Sequence, residues 1–216
     1  MYTERSPIRG LYAITPDIPD THQLQHRVQQ AIDGGVKLLQ YRAKSLVPAM
    51  RLQQARALAA QCAAQGVHFI VNDDRGLAQT CQATGVHLGL HDEETEDKEF
   101  GNSKHSLLVG ISCYDSLQRA QAAELRGADY VAFGSMFPSP TKPAATRAPL
   151  SLLHDAKQQL RIPVVAIGGI TLPHMDALVK TGIDAVAVVS ALFDAPDITA
   201  AARHFNAYFG ESHVQS

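Results

Sequence analysis

The chain has 216 residues, 45% hydrophobic and 6% aromatic, and its 19 basic and 21 acidic side chains leave a formal charge of −2. That length can bury a core without disulfide or metal staples, and the balanced charge, free of any Lys/Arg run, excludes nucleic acid as the main partner. No apolar stretch approaches the ~18 residues of a membrane span, residues 1–10 lack the apolar centre of a signal peptide, and Cys62, Cys81 and Cys113 have neither disulfide-framework nor zinc spacing. The expectation is a cytoplasmic globular domain with no membrane or nucleic-acid partner.

In chain order, short apolar runs alternate with segments of helical spacing. Strands are predicted over 10–15, 37–42, 68–73, 85–89, 107–112, 130–135, 164–169 and 185–190. Most are continuous apolar runs, the signature of parallel strands covered on both faces. Between them, Leu24, Val28 and Ile32 form one helical stripe that stops at Gly34-Gly35. A second face, Leu52, Ala55, Ala59 and Cys62, ends at Gly66. Asp115 and Gln118 resemble a capping box for the helix that closes at Gly127. Thr171 followed by Pro173 marks another start, with Met175, Leu178 and Val179 facing inward. Residues 93–106 are acidic, interrupted by Gly101-Asn102, and read as a short helix plus exposed loop. The repeat predicts an α/β fold, a single-domain (β/α)8 TIM barrel over 1–216 with loose termini at 1–9 and 211–216. Repeat number alone leaves an open doubly wound sheet as the alternative.

Barrel chemistry gathers at the C-terminal ends of the strands. The second strand ends Gln40-Tyr41-Arg42-Ala43-Lys44, and a period of two puts Gln40, Arg42 and Lys44 on one face. Cations there call for an anionic ligand, unless the strand stops near Gln40 and they are solvated. The third ends Asn72-Asp73-Asp74, and Asp92 follows the fourth. Two carboxylates on adjacent ends suit Mg²⁺, which completes its shell with water and phosphate oxygens; equally, Asp74 could cap a helix and Asp92 belong to an acidic loop. Ser112 ends the fifth strand with no base paired to it in sequence, which gives little support to a Ser-His-Asp triad. Ser139, Thr141 and Lys142 lie on a proline-stiffened loop that reads as an anion lid or as an ordinary polar loop. Gly168-Gly169 and Val189-Ser190 end the last two strands, where barrels commonly bind phosphate. His68 and His87 read as packed core imidazoles, and the remaining histidines have no metal spacing. Two anion sites on one barrel mouth result, suited to two phosphorylated reactants, one a metal-bound pyrophosphate.

The segments LYAIT, LQYRAK, FIVNDD, GVHLG with Asp92, VGIS, YVAFGSMFPSPTK, VVAIGGI and AVAVVSAL, in this order along nearly the whole chain, resemble the thiamine-phosphate synthase family. The resemblance implies a transferase joining a hydroxymethylpyrimidine pyrophosphate to a thiazole phosphate, or its carboxylated precursor, with release of pyrophosphate. It implies Gln40, Arg42 and Lys44 on the pyrimidine pyrophosphate with Asn72 fixing the pyrimidine, Asp73 and Asp92 on Mg²⁺, and Ser112 and Lys142 on the departing pyrophosphate or the pyrimidine beside it. Ser139, Thr141, Gly169, Val189 and Ser190 would take the thiazole phosphate. Arg42, Lys142 and Ser112 are the catalytic candidates, and a homo-oligomer is compatible with the family. Leu90 stands where the family usually has Gln, Ala43 where Glu is common, Ser135 where Pro is frequent and Ser139 where Thr is common. The competing readings are a thiazole tautomerase-like relative and a non-catalytic phosphate-binding barrel. Arg42, Lys44, Asp73, Asp92 and Lys142 favour the synthase, since a tautomerase has no pyrophosphate to neutralise.

Overall fold

Each of the eight apolar runs forms a strand, and the strands close on themselves in chain order: β1 Gly10–Ile14, β2 Leu38–Tyr41, β3 His68–Asn72, β4 Gly85–Leu88, β5 Leu108–Tyr114, β6 Tyr130–Phe133, β7 Val164–Ile167 and β8 Ala185–Val188. Every neighbouring pair is parallel, including β8 with β1 (Leu11 beside Val186). Closure settles the barrel against the open sheet. The computed structural model describes residues 6–89, 107–138 and 147–210. The acidic segment 93–106 lies outside them, as do Leu90, Asp92, Ser139, Thr141 and Lys142.

Among the described residues the helices are α1 Thr21–Asp33, α2 Pro48–Ala63, α3 Arg75–Thr80, α4 Leu117–Leu125, α5 Leu150–Gln159, α6 Met175–Val179, α7 Ser190–Phe193 and α8 Ile198–Ala207. The α1 face falls as the spacing predicts, with Leu24, Val28 and Ile32 buried; on α2, Ala55, Ala59 and Cys62 are buried but Leu52, near the start of the helix, is only half-buried. The cap of α4 differs by one residue. Ser116, not Asp115, accepts the Arg119 N–H at 3.2 Å, because the longer β5 carries the chain past Ser112 to Tyr114 before the helix opens. None of the described helices is long and apolar enough to cross a membrane.

Two apolar layers follow from the alternation of side chains along each strand. Leu11, Ala13, Leu39, Tyr41, Val71, Val131 and Val186 pack between barrel and helices. Tyr12, Ile14, Leu38, Ile70, Tyr130, Ala132, Val165 and Ala187 fill the interior. Ile8 joins that inner cluster at 1% exposure, so the expected loose segment up to residue 9 does not hold there: an isoleucine side chain closes the bottom of the barrel. Gly110 makes room for Tyr130, since a Cβ on it would collide with the ring edge and hydroxyl of that tyrosine.

Candidate active site

The loop after β1 organises the end of β2. Thr15, 1% exposed, accepts the Arg42 N–H at 2.9 Å and returns its hydroxyl to the Arg42 carbonyl at 3.3 Å. Asp17 then accepts from the Lys44 N–H (3.0 Å), the Ser45 N–H (2.9 Å) and the Ser45 hydroxyl (2.8 Å). Carboxylate–amide bonds of this kind are charge-assisted and stronger than neutral ones. They fix the backbone from which Arg42 and Lys44 project. Arg42 is half-buried, and its guanidinium has no acid partner among the described residues; Lys44 is exposed. Sequence reasoning missed Thr15 and Asp17, although two polar residues so soon after the apolar LYAI run were the available signal.

Asn72 ends β3 beside His87 of β4. Asp73 follows in the left-handed region at φ +64°, its N–H donating to the His87 carbonyl at 2.8 Å. A non-glycine residue held there is uncommon, and aspartate tolerates it better than most. Lys44 Nζ stands 3.5 Å from Asp73 Oδ2, a partly exposed pair of little worth to stability. Asp74 is engaged differently: it caps α3 by accepting the Leu77 N–H at 2.8 Å and meets Arg51 at 2.6 Å. Its role is the capping one. Beside the mouth is a cavity of about 380 Å³ bordered by Lys44, Arg51, Asn72, Asp73 and Asp74. Tyr41 and Ala43 also line it and belong to the layer under the helices, so it flanks the barrel wall instead of lying on the axis.

Inside the barrel, Gln40 is 3% exposed and its Nε2 donates to the Tyr12 hydroxyl at 2.8 Å. Tyr12 and Tyr130 hydroxyls meet at 2.8 Å, Tyr130 reaches His87 Nδ1 at 3.1 Å, and His87 Nε2 reaches Ser112 Oγ at 2.9 Å. Burial pushes the His87 imidazole down to about 4 and raises both tyrosines well above their usual range. Ser112 therefore does have an imidazole beside it, twenty-five residues earlier in the chain, as the separation of the bonded pair shows. It is a core imidazole, as expected, and too weak a base to activate a serine at neutral pH. The tyrosines went unnoticed in sequence because only the register aligns them.

At the ends of β7 and β8, Gly168 and Gly169 have φ of +99° and +63°. The loop after β6 lies across them: Met136 N–H bonds the Ile167 carbonyl and Phe137 N–H the Gly168 carbonyl, each at 3.0 Å. A Cβ on Gly169 would collide with the carbonyl oxygens of Pro138 and Phe137. The Phe137 ring stacks on His174, centroids 3.7 Å apart, and His174 in turn caps Thr171. Val189 and the exposed Ser190 lead directly from β8 into the single turn of α7. The structure brings Gln40, Arg42, Lys44, Asn72, Asp73, Ser112, Gly169, Val189 and Ser190 to the same end of the barrel, because each follows or ends a parallel strand.

Residues 11–192 match the family described as thiamine monophosphate synthase. The chain belongs to that family. It is 50% identical over 202 residues to the thiamine-phosphate synthase of Thiobacillus denitrificans, covering 93% of this chain and 94% of the relative. The thiamine-phosphate synthase of Thioalkalivibrio sulfidiphilus is 48% identical, with 94% and 96% covered. Among solved structures, thiamine phosphate pyrophosphorylase from Pyrococcus furiosus superposes with a TM-score of 0.79 at 29% identity, covering 94% of this chain and 96% of that one. The relatives named here are synthases, which is the reading the cationic strand end favours over a tautomerase.

Proposed function

We propose that this thiamine-phosphate synthase, a transferase acting on small phosphorylated substrates, joins a hydroxymethylpyrimidine pyrophosphate to a thiazole phosphate at the mouth just described. Arg42 carries the reading. Its backbone is bonded to Thr15 through both N–H and carbonyl, while its half-buried guanidinium lacks an acid partner among the described residues. A cation held ready without a protein anion suits an anion supplied by substrate.

In this reading the displacement is dissociative: the bond from the pyrimidine methylene to pyrophosphate oxygen breaks, with its electron pair leaving on pyrophosphate, before the thiazole nitrogen arrives and bonds to the methylene carbon. The electron-rich aminopyrimidine supports the developing positive carbon, so no protein nucleophile is required. What the step needs is neutralisation of charge growing on the leaving pyrophosphate. Arg42 and Lys44 would supply it from β2, with Lys142 from the loop after β6. Asn72 would fix the pyrimidine, and Ser112 would hydrogen-bond the leaving group or the ring beside it. Gly169, Val189 and Ser190, with Ser139 and Thr141, would hold the thiazole phosphate so that its nitrogen faces the methylene, an orientation effect.

Asp73 fits a Mg²⁺ site: it is partly exposed, it neighbours the cationic strand end, and Mg²⁺ needs only one or two carboxylates alongside substrate phosphates. Asp73 and Asp92 would hold the ion. Mg²⁺ bound there would offset pyrophosphate charge. A cytoplasmic enzyme goes with the reading, and the buried thiols of Cys62, Cys81 and Cys113 support it. Replacing Arg42 by Met tests the assignment: kcat/KM for the pyrimidine pyrophosphate should fall about 100-fold, the scale of a lost charge stabiliser. Wild-type kinetics in that variant would remove Arg42 from the site.

A further inference from the structure

The five-membered chain Gln40–Tyr12–Tyr130–His87–Ser112 crosses the barrel interior and ends at two residues of the mouth. Its hydrogens can be counted. Four contacts each need one hydrogen, and none can hold two. Gln40 Nε2 supplies the first contact. The Tyr12 hydroxyl then has to donate to Tyr130, because leaving a buried donor unmade costs more than the bond is worth. Tyr130, accepting from Tyr12, donates to His87 Nδ1. A neutral imidazole that accepts at Nδ1 carries its hydrogen on Nε2, and that hydrogen goes to Ser112 Oγ. The Ser112 hydroxyl hydrogen is left over.

Were the Gln40 amide turned over, every bond would reverse together: Tyr130 donating to Tyr12, Nδ1–H to Tyr130, Ser112 to Nε2. The two ends are therefore coupled. The bond from Gln40 Nε2 to the Tyr12 hydroxyl sets the direction, and it leaves the amide acceptor, Oε1, available at the strand end. Gln40 has no other side-chain partner among the described residues, and Ser112 Oγ has none besides His87.

We propose that Tyr12, Tyr130 and His87 are positioning residues that set the polarity of the mouth, presenting an acceptor at Gln40 and a donor at Ser112. The ligand class that fits carries an N–H donor, such as an aromatic amine, at one end and an anionic oxygen at the other. This rests on the reading above, in which an aminopyrimidine pyrophosphate lies between these residues. It also explains the imidazole beside Ser112: with its hydrogen on Nε2 it is a donor to the serine and cannot be its base.

The direct test is long-range ¹H–¹⁵N correlation on histidine-labelled, ligand-free protein. His87 should be protonated at Nε2 and bare at Nδ1; protonation at Nδ1 overturns the proposal. This holds whether or not the enzyme makes thiamine phosphate, so failure of the chain and failure of the functional reading are separable. The second measurement is Tyr12→Phe, which keeps the ring and removes the partner of Gln40. KM for the pyrimidine pyrophosphate should rise about five-fold, the scale of one neutral hydrogen bond, with KM for the thiazole phosphate unchanged. Equal changes for both substrates, or none, would show that the tyrosine only fills space. If that variant does not fold, the wild-type tautomer still decides.

Discussion

Replacing Gly169 by alanine tests the packing of the β7 end against the loop after β6. Two effects combine there. At φ +63° an L-residue costs about 1 kcal/mol relative to glycine. In addition the new methyl would stand 2.5 Å from the Phe137 carbonyl oxygen and closer still to that of Pro138. Backbone carbonyls cannot swing aside as a flexible side chain does, so the loop or the β7 end must shift by several tenths of an ångström. Gly66 separates the two effects. It has nearly the same dihedral, φ +64°, but nothing within 4 Å of a Cβ, and it lies in the turn before β3, at the opposite end of the barrel. Gly66→Ala should lose about 1 kcal/mol of stability in urea unfolding with unchanged kinetics. Gly169→Ala should lose that and a further ~1–3 kcal/mol from overpacking. Its KM for the thiazole phosphate should rise ten-fold or more, about 1.4 kcal/mol of lost binding, while KM for the pyrimidine pyrophosphate changes far less. Equal stability losses in the two variants, with wild-type KM in Gly169→Ala, would refute the argument that the glycine is there for close approach.

Ser190→Ala should chiefly raise KM for the thiazole phosphate in steady-state assays, by about five-fold if one hydroxyl bond is lost; an unchanged value would leave the phosphate to backbone donors alone. Asp73→Asn should weaken the Mg²⁺ dependence of turnover and reduce kcat by about 100-fold or more, and full activity would remove Asp73 from the metal site. Asp17→Ala should leave Lys44 N–H and Ser45 without their shared acceptor and raise KM for the pyrimidine pyrophosphate, although the side chain contributes nothing to substrate; an unchanged KM would show that the β2 end holds its shape without it. Burial pushes the Cys62 thiol up to about 12 from an ordinary value of 9.0. The unfolded chain therefore releases that proton first, and stability should fall as pH rises from 9 towards 12. Chemical denaturation of Cys62→Ala across the same range should show a shallower fall, and identical slopes would count against the assignment.

The barrel was legible because its strands are apolar on both faces. Runs such as VVAI and AVAV have no solvent side, and parallel strands between helices are the structure that buries them completely. The polar strand ends were equally visible, since Arg42 and Lys44 interrupt an apolar pattern. What linear order conceals is register. Ser112 and His87 come into contact because β4 and β5 pair with His87 beside Gly110. Gln40 meets Tyr12 because β1 and β2 align Ile14 with Gln40. Read alone, Gln40 and Ser112 are polar strand ends, and Tyr12 and His87 are ordinary residues of a barrel core. Ile8 shows the same limit from the other side. Next to charged and polar neighbours it reads as part of a loose terminus, and only the closed barrel offers it a cavity to fill. The cap of α4 moved from Asp115 to Ser116 through the bulge in β5 between Ser112 and Tyr114, a one-residue irregularity that no spacing rule anticipates.

In the proposed function, the mouth built by Arg42, Lys44, Asp73 and the glycines of β7 joins two phosphorylated substrates. The most direct measurement incubates the purified protein with the hydroxymethylpyrimidine pyrophosphate and the thiazole phosphate, with Mg²⁺ and with a chelator, and follows products by mass and by pyrophosphate release. Thiamine phosphate and pyrophosphate should form in equal amounts, only when both substrates are present, and the chelator should abolish both. Binding of both compounds without turnover, or pyrophosphate release that ignores the thiazole phosphate, would contradict it.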